Sequence, residues 1–272
     1  MKGTAFEKLT WPEVNERVKE DPVILLPVGQ IEQHGPALPL DTDMVGPVNI
    51  CELAAKKEPG LFLVMPPLYY GFSEHDRDFP GTISIKYDNF IGYCYDICES
   101  LTRHGFKRIL IVNGHGGNRP MLDTVARLVV SYTESLAATI DIWNLSREEM
   151  KKHRESELGG MSHACEYEAS LYLACGEEYV KPELFVKEMS DGPRLRWFSG
   201  DLTLDSPVKM MNKSGRITES GVCGDSTFAT REKGEIFISA AVKNLIDLGK
   251  EFRSLPIGYC VNHIISDVKG ID

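Results

Sequence analysis

The chain has 272 residues, of which 42% are hydrophobic and 26% charged, a composition typical of a soluble globular protein with a sizeable core. Its 40 acidic and 30 basic residues give a net charge of −10, which argues against nucleic acid or an anionic membrane surface as a partner. No apolar run approaches the roughly 20 residues of a membrane span, and the polar start shows no secretory signal pattern. Seven cysteines without a Cys-x-x-Cys spacing predict reduced thiols in a cytoplasmic protein.

Apolar runs alternate with segments of helical period along the chain. Buried strands are predicted at 23–28, 62–65, 108–112 and 138–143. Helices are predicted at 48–57, 88–104, 118–136, 164–174 and 232–248. Four cysteines in or beside helical patterns are expected to pack in the core: Cys51, Cys94, Cys98 and Cys175. The alternation predicts an α/β fold, a single domain over 1–272 with three layers, in which helices cover both faces of a mostly parallel sheet.

One region, 190–225, departs from this alternation. It is rich in Gly, Pro, Ser and Asp and carries isolated basic and aromatic residues. Long irregular stretches inside a compact domain are usually functional. We interpret this region as a lid over a site or as a contact between subunits.

Two short motifs carry the residues typical of a metal site. Glu32 and His34 follow the first predicted strand, and His115 follows the strand at 108–112. Ligands bind beyond the carboxyl ends of parallel strands, so these side chains are expected at one edge of the sheet, with Asp43 folding back over them from a loop. Imidazole and carboxylate ligands without thiolate suit a hard or borderline divalent metal. Because structural zinc sites are usually closed and often Cys-rich, this set favours a metallohydrolase over a non-enzymatic metal-binding scaffold.

Two further stretches have both a functional and a structural interpretation. His163 is suited to general acid catalysis or a proton shuttle, but a histidine here could equally cap the helix that follows. Glu166 or Glu168 could complete a second metal site or simply favour the positive end of that helix. Glu74 and His75 follow the second strand, where they could hold substrate, bind metal, cross a subunit contact or lie in a solvated loop.

In these motifs the chain resembles the creatininase family of metal-dependent hydrolases. The matching segments run in the family's order from about residue 5 to 250: 27–35, 41–43, 75 with 79–84, 113–118, 163–168 and 224–230. The resemblance implies a single α/β domain with a dinuclear metal centre, commonly zinc, manganese or iron, and a homo-oligomer, typically a hexamer. By position, Glu32, Asp43 and His115 would hold one ion and His34 and Asp43 the other, with Asp43 bridging.

The resemblance also implies a role for His163, and the chain departs from the family pattern at a few positions. His163 matches the family histidine thought to move a proton. Gly117 stands where creatininase itself has a glutamate on the second metal, and Glu168 is the candidate to replace it, ahead of Glu166. Cys165 and Ala169 stand where the family usually has Gly and Thr, which argues against strict creatinine specificity.

From motifs and resemblance together we expect a hydrolase with two divalent ions per chain, zinc ahead of manganese or iron. A metal-bridging hydroxide would open a small cyclic amide or related C–N bond in a small-molecule substrate. His163 would protonate the leaving group, while Glu74, His75 and basic lid residues would select the substrate. The alternatives are C–C ring opening of a cyclic keto-polyol such as 3-dehydro-scyllo-inosose and formamide hydrolysis on a flavin-precursor pyrimidine.

Overall fold

The computed structural model describes residues 3–190 and 196–258, which are organised around one parallel sheet. Its four strands are β1 (Val23–Val28), β2 (Phe62–Val64), β3 (Arg108–Asn113) and β4 (Leu136–Asp141). They lie in the order β2–β1–β3–β4, and all three pairings are parallel. The carboxyl ends of β1 and β3 are therefore side by side, as the motif positions require.

Seven α-helices and one short strand pair complete the described fold. The helices are α1 (Trp11–Lys19), α2 (Thr42–Lys57), α3 (Tyr87–Arg103), α4 (Arg119–Tyr132), α5 (Ile142–His153), α6 (Glu166–Gly176) and α7 (Arg231–Ser254). The antiparallel pair consists of β5 (Lys187–Glu188) and β6 (Gly224–Asp225). No helix among the described residues is both long enough and apolar enough to cross a membrane.

Each face of the sheet is covered by its own hydrophobic core. Successive side chains of β1 alternate between the two faces. Val23 and Leu25 pack into a core with α2, α5, α6 and α7, whereas Ile24 and Leu26 pack into a second core with α3 and α4. All six residues of β1 are buried, so this strand lies at the centre of three layers. The predicted three-layer α/β fold is confirmed.

Several predicted boundaries need correction. Helix α2 begins at Thr42 rather than at residue 48, because Pro47 lies early in the helix and does not stop it. The last strand of the parallel sheet occupies 136–141 rather than 138–143. Ile142 and Trp143 instead open α5, and no predicted element covers the rest of that helix. Helix α5 is polar on average, but five of its twelve residues are buried and form one face: Ile142, Trp143, Leu145, Ser146 and Met150.

The cysteines and the predicted lid can be placed in this frame. Cys51, Cys94 and Cys98 are fully buried in the two cores, whereas Cys175 is only partly buried. The six cysteines within the described ranges are free thiols. Residues 191–195 of the predicted lid lie outside the described residues, and 196–223 contain only a 3₁₀ turn at Ser214–Arg216.

Candidate metal centre

The centre is built where α2 begins against the ends of two strands. Asp43 lies in the first turn of α2, and its backbone carbonyl packs directly on Gly29, after β1, and Gly114, after β3. A Cβ at Gly114 would overlap the Asp43 carbonyl oxygen, and one at Gly29 would lie 2.6 Å from it. The glycines in the two motifs therefore let the helix bring a carboxylate down onto the strand ends.

Asp43 contacts one histidine with each carboxylate oxygen. Its Oδ1 lies 3.2 Å from His34 Nε2, and its Oδ2 lies 2.9 Å from His115 Nδ1. The far ring nitrogens are held by the backbone: His34 Nδ1 lies 3.1 Å from the Glu32 carbonyl, and His115 Nε2 lies 3.1 Å from the Phe72 carbonyl. When these histidines are neutral and donate from their far nitrogens, their other nitrogens offer lone pairs beside Asp43 that a metal ion can take, the arrangement found behind metal-binding histidines.

Glu32 lies on the other side of His115 and is completely buried. Its Oε2 accepts a hydrogen bond from the Ser73 hydroxyl and lies 3.3 Å from His115 Nε2. Three buried atoms in this cluster have no hydrogen-bond partner: Glu32 Oε1, His34 Nε2 and Asp43 Oδ2. Unpaired buried polar atoms are costly, and a cation bound among them would satisfy all three.

The side chains form three overlapping groups whose ligand atoms lie within 4.8 Å of one another. One group contains Glu32, His75 and His115, a second contains His34, Asp43 and Glu168, and a third contains Glu32, His34 and His163. The first two groups meet at Asp43, whose Oδ1 lies 3.2 Å from His34 Nε2 and whose Oδ2 lies 2.9 Å from His115 Nδ1. The donor set of nitrogen and carboxylate oxygen, with no thiolate, fits zinc, manganese or iron.

The charges in the cluster are strongly coupled. Burial opposes ionisation of Asp43, but His34 and His115 outweigh it and hold the pKa of this carboxyl well below its usual range. Burial likewise opposes protonation of the histidines, yet Asp43 raises the pKa of His34 to about 10, and Glu32 and Asp43 raise that of His115 to about 9. Burial raises the pKa of Glu32 to about 8. Without metal, the centre therefore retains protons in positions that cations would otherwise take.

Of the two glutamates at the start of α6, the structure brings Glu168 to the cluster. Glu168 shares a ligand group with His34 and Asp43, and its Oε2 also accepts from the Cys165 backbone N–H at 3.4 Å. Glu166 is instead buried against Lys233 Nζ at 2.6 Å and accepts from the Ser156 backbone N–H at 2.9 Å. Its role in the described fold is to hold the start of α7 against the loop after α5.

The two candidate residues in the loop after β2, Glu74 and His75, occupy different environments. His75 lines the cavity, stacks on His115 with ring centroids 5.6 Å apart, and lies 4.0 Å from Glu32 Oε2. Glu74 points to solvent and pairs with Arg77 at 3.2 Å. Glu74 and His75 lie in a turn, and of the two only His75 reaches the cluster.

His163 faces the cluster rather than capping a helix. Its Nδ1 lies 3.6 Å from Glu32 Oε1, and its Nε2 lies 3.0 Å from the Gln33 carbonyl. The residue at the cap of α6 is Cys165. Burial, followed by the charge on His34, lowers the pKa of His163, which favours its neutral form.

Sequence reasoning missed three polar residues that support the centre: Gln33, Ser73 and Asp76. Asp76 is buried in the cavity wall, with its Oδ2 3.3 Å from His75 Nε2 and its Oδ1 2.9 Å from Gln33 Nε2. Burial opposes ionisation of Asp76, but His163, His75 and hydrogen bonds from Ser214 and Gln33 outweigh it and lower its pKa. The available signal was the position of Asp76 directly after His75 at the same strand end.

The cluster forms the floor of a cavity of about 750 Å³. The described part of the predicted lid contributes apolar and small polar side chains to the wall, among them Phe198, Ser199, Met210, Met211 and Asn212. No lysine or arginine within 3–190 and 196–258 lines this cavity. Lys209, a basic lid residue, lines a neighbouring cavity of about 370 Å³ instead.

Comparison with known proteins agrees with this geometry. A family model for creatininase, described as creatinine amidohydrolase, matches residues 7–248. The chain belongs to the creatininase family. It is 28% identical to creatinine amidohydrolase of Pseudomonas putida, over 92% of this chain and 97% of that protein. It is 26% identical to 3-dehydro-scyllo-inosose hydrolase of Thermotoga maritima, over 92% of this chain and 83% of that protein.

Its fold is likewise that of the creatininase family. A solved manganese form of creatininase superposes with a TM-score of 0.78 at 27% identity, covering 93% of this chain and 100% of that one. As a member of this family with a histidine and carboxylate cluster at the family motifs, the chain is a metal-dependent hydrolase.

Proposed function

We propose that the chain binds two divalent metal ions and hydrolyses a C–N bond in a small cyclic amide. The observation that carries this proposal is the Asp43 carboxylate, whose two oxygens each meet a histidine nitrogen in a buried, uncompensated cluster. Glu32, Asp43 and His115 would hold one ion, and His34, Asp43 and Glu168 the other. Bound there, the ions would activate water near neutral pH and polarise the carbonyl under attack.

The protein's own groups would orient the reaction around this centre. Ser73 holds one oxygen of Glu32, and two backbone carbonyls hold the far sides of His34 and His115, so the donor atoms are preorganised. His75 would contact the substrate from the cavity wall. Glu74, in contrast, is exposed, and its predicted role in substrate selection finds no support in its position.

His163 would move the proton. In the neutral form its Nε2 donates to the Gln33 carbonyl, which leaves Nδ1 unprotonated and directed toward Glu32 Oε1. From this position Nδ1 would accept a proton from the attacking water and return it to the departing nitrogen. The lowered pKa of His163 supports this assignment, because a base must be unprotonated at the start of the cycle.

A second candidate is hydrolytic ring opening of a cyclic keto-polyol. It is favoured by the polar groups on the cavity wall, which include Ser162, Ser199 and Asn212 and suit a substrate with several hydroxyls. The hydrolase of Thermotoga maritima that resembles this chain acts, by its name, on such a compound. Formamide hydrolysis on a flavin-precursor pyrimidine is a further alternative that would use the same metal chemistry.

We further propose that zinc is the metal and that the chain acts as a cytoplasmic homo-oligomer, one hydrolase domain over 1–272 with a lid at 190–225. The free cysteines support a reducing compartment. Exposed aromatic side chains around the loop after β2, Tyr69, Tyr70 and Tyr87, support a covered surface between subunits. Light scattering coupled to gel filtration measures the oligomeric state, and a monomeric mass would refute the homo-oligomer.

The test of function is metal content per chain, measured on protein purified without added metal, together with turnover of a small panel. The panel contains creatinine, other lactams, a formamidopyrimidine and a keto-inositol. About two ions per chain and turnover of a lactam support the first candidate, whereas turnover of the keto-inositol alone supports the second. Protein that holds no metal and takes up none on titration refutes the mechanism.

A further inference from the structure

A buried side-chain relay connects Asp76 to His163 through Gln33. The Gln33 amide is tightly packed, since a Cβ on the neighbouring Gly221 would overlap its oxygen. Its Oε1 accepts from the Gly35 backbone N–H at 2.9 Å, which fixes the oxygen and nitrogen ends of the amide. The nitrogen end then lies 2.9 Å from Asp76 Oδ1 and 3.0 Å from the Gly221 carbonyl.

The two hydrogens of the Gln33 side-chain amide determine which ring nitrogen of His163 carries the proton. Gln33 Nε2 has two hydrogens, and two acceptors, Asp76 and the Gly221 carbonyl, take both. His163 Nε2 also lies 3.0 Å from Gln33 Nε2, but no hydrogen remains for it to accept. His163 Nε2 must therefore carry the proton itself and donate it to the Gln33 carbonyl at 3.0 Å.

We propose that Asp76 is a positioning residue that fixes the tautomer of His163 by occupying one hydrogen of the Gln33 amide. With Asp76 in place, the lone pair of His163 lies on Nδ1, facing the centre. Without it, the freed amide hydrogen can be donated to His163 Nε2, and the ring proton moves to Nδ1, where it blocks proton acceptance. This inference rests on the proposed role of His163 in moving a proton.

The first experiment reads the tautomer directly. Solid-state ¹⁵N spectra of zinc-loaded protein with ¹⁵N-labelled histidine separate protonated from unprotonated ring nitrogens at any particle size, and H163Q assigns the signals. We expect wild type to show a protonated Nε2 and a bare Nδ1 on His163. D76A should shift the proton toward Nδ1, whereas D76N should retain the wild-type pattern, because its side-chain oxygen can still accept from Gln33.

Kinetics then connect the tautomer to turnover. D76A should lower kcat by about 10- to 100-fold, the usual cost of losing such a supporting contact, with KM changed less than about threefold. Zinc content should stay at the wild-type value in both variants. D78N, an exposed change two residues along the same loop, is the matched control and should behave as wild type.

A D76A protein that keeps the wild-type tautomer, or a D76N protein that loses it, would overturn the inference. If D76A does not fold, D76S carries the same test, since its hydroxyl is too short to reach Gln33. Failure of the proposed function is separately visible: wild type would then bind no zinc or turn over no panel compound, while the tautomer could still be read.

Discussion

The floor and the lid of the cavity are built on opposite principles. On the floor, Glu32, His34 and Asp43 are at most 4% exposed and are held by strand ends, backbone carbonyls and the start of a helix. In the lid, Trp197 is 56% exposed and Met211 69%, and its described part at 196–223 contains only one 3₁₀ turn. A rigid floor fixes the reaction, and an irregular wall can vary without disturbing it. This division explains how relatives that share about a quarter of their residues with this chain can carry different substrate names.

The largest loss of metal binding and turnover at the cavity floor is expected from a change at Asp43. D43A removes the carboxylate proposed to serve both ions, so we expect loss of both metals. Turnover should fall by more than the roughly 10²- to 10³-fold that one lost electrostatic contact costs. Metal analysis and activity measure this, and circular dichroism checks that the fold persists. D41A is the matched control: Asp41 hydrogen bonds to the Tyr172 hydroxyl at 2.8 Å, and its loss should leave the metals bound. If D43A kept both ions, Asp43 would not be the bridge.

The two glutamates of α6 allow metal binding at the cavity floor to be separated from the stability of the surrounding fold. E168Q should lower the metal content to about one ion per chain and reduce kcat by on the order of 10²-fold. E166Q should keep both ions and instead lower the free energy of unfolding by about 1–3 kcal/mol, because it weakens the buried contact to Lys233. Metal analysis and urea unfolding of both variants test the pair. The opposite pattern would mean that Glu166 supplies the second site.

The sequence predicted the floor far better than it predicted the surroundings. A buried strand followed by a motif with Glu, His and Gly can be recognised from neighbouring residues alone. Parallel pairing of β1 with β3 then brings Glu32 and His115 together. The choice between Glu166 and Glu168 depends on which face of α6 meets the cluster, which the position of Lys233 decides from far along the chain. The supporting roles of Asp76 and Gln33 were not predicted because their partners are 43 and 130 residues away, and the position of Asp76 beside His75 does not by itself indicate those contacts.

The floor should also be the source of a pH dependence that appears only without metal. In the metal-free protein, the pKa values of His34 and His115 are raised from 6.5 to about 10 and about 9, so the folded state binds more protons than the unfolded state over that range. Their stabilising contribution is complete below pH 6.5 and is lost as the pH rises through these values. The raised pKa of Glu32, about 8, acts in the same direction, because the folded state keeps this proton longer.

We therefore expect the melting temperature of chelator-treated protein to fall between pH 6.5 and about 9. The fall should be at least about 3 °C, corresponding to roughly 1 kcal/mol for a chain of this size. Zinc-loaded protein should show a much flatter profile, since cations replace the protons. Differential scanning calorimetry of the two forms makes the comparison. Equal slopes with and without zinc would show that these histidines are not where the metal binds.

The lid should give the smallest effect and the clearest separation of binding from chemistry. Met211 lines the cavity but is largely exposed, so M211A removes part of an apolar contact with substrate and little else. We expect KM to rise about threefold, which is less than the roughly 10- to 200-fold effect of a well-buried apolar contact. We expect kcat to stay within twofold of wild type. The free energy of unfolding should change by less than about 0.5 kcal/mol.

M150A makes the same change in the core, where Met150 is fully buried, and should cost about 2–5 kcal/mol of stability while KM stays constant. A large fall in kcat for M211A would mean that the lid takes part in the chemistry, and the division between floor and lid would fail.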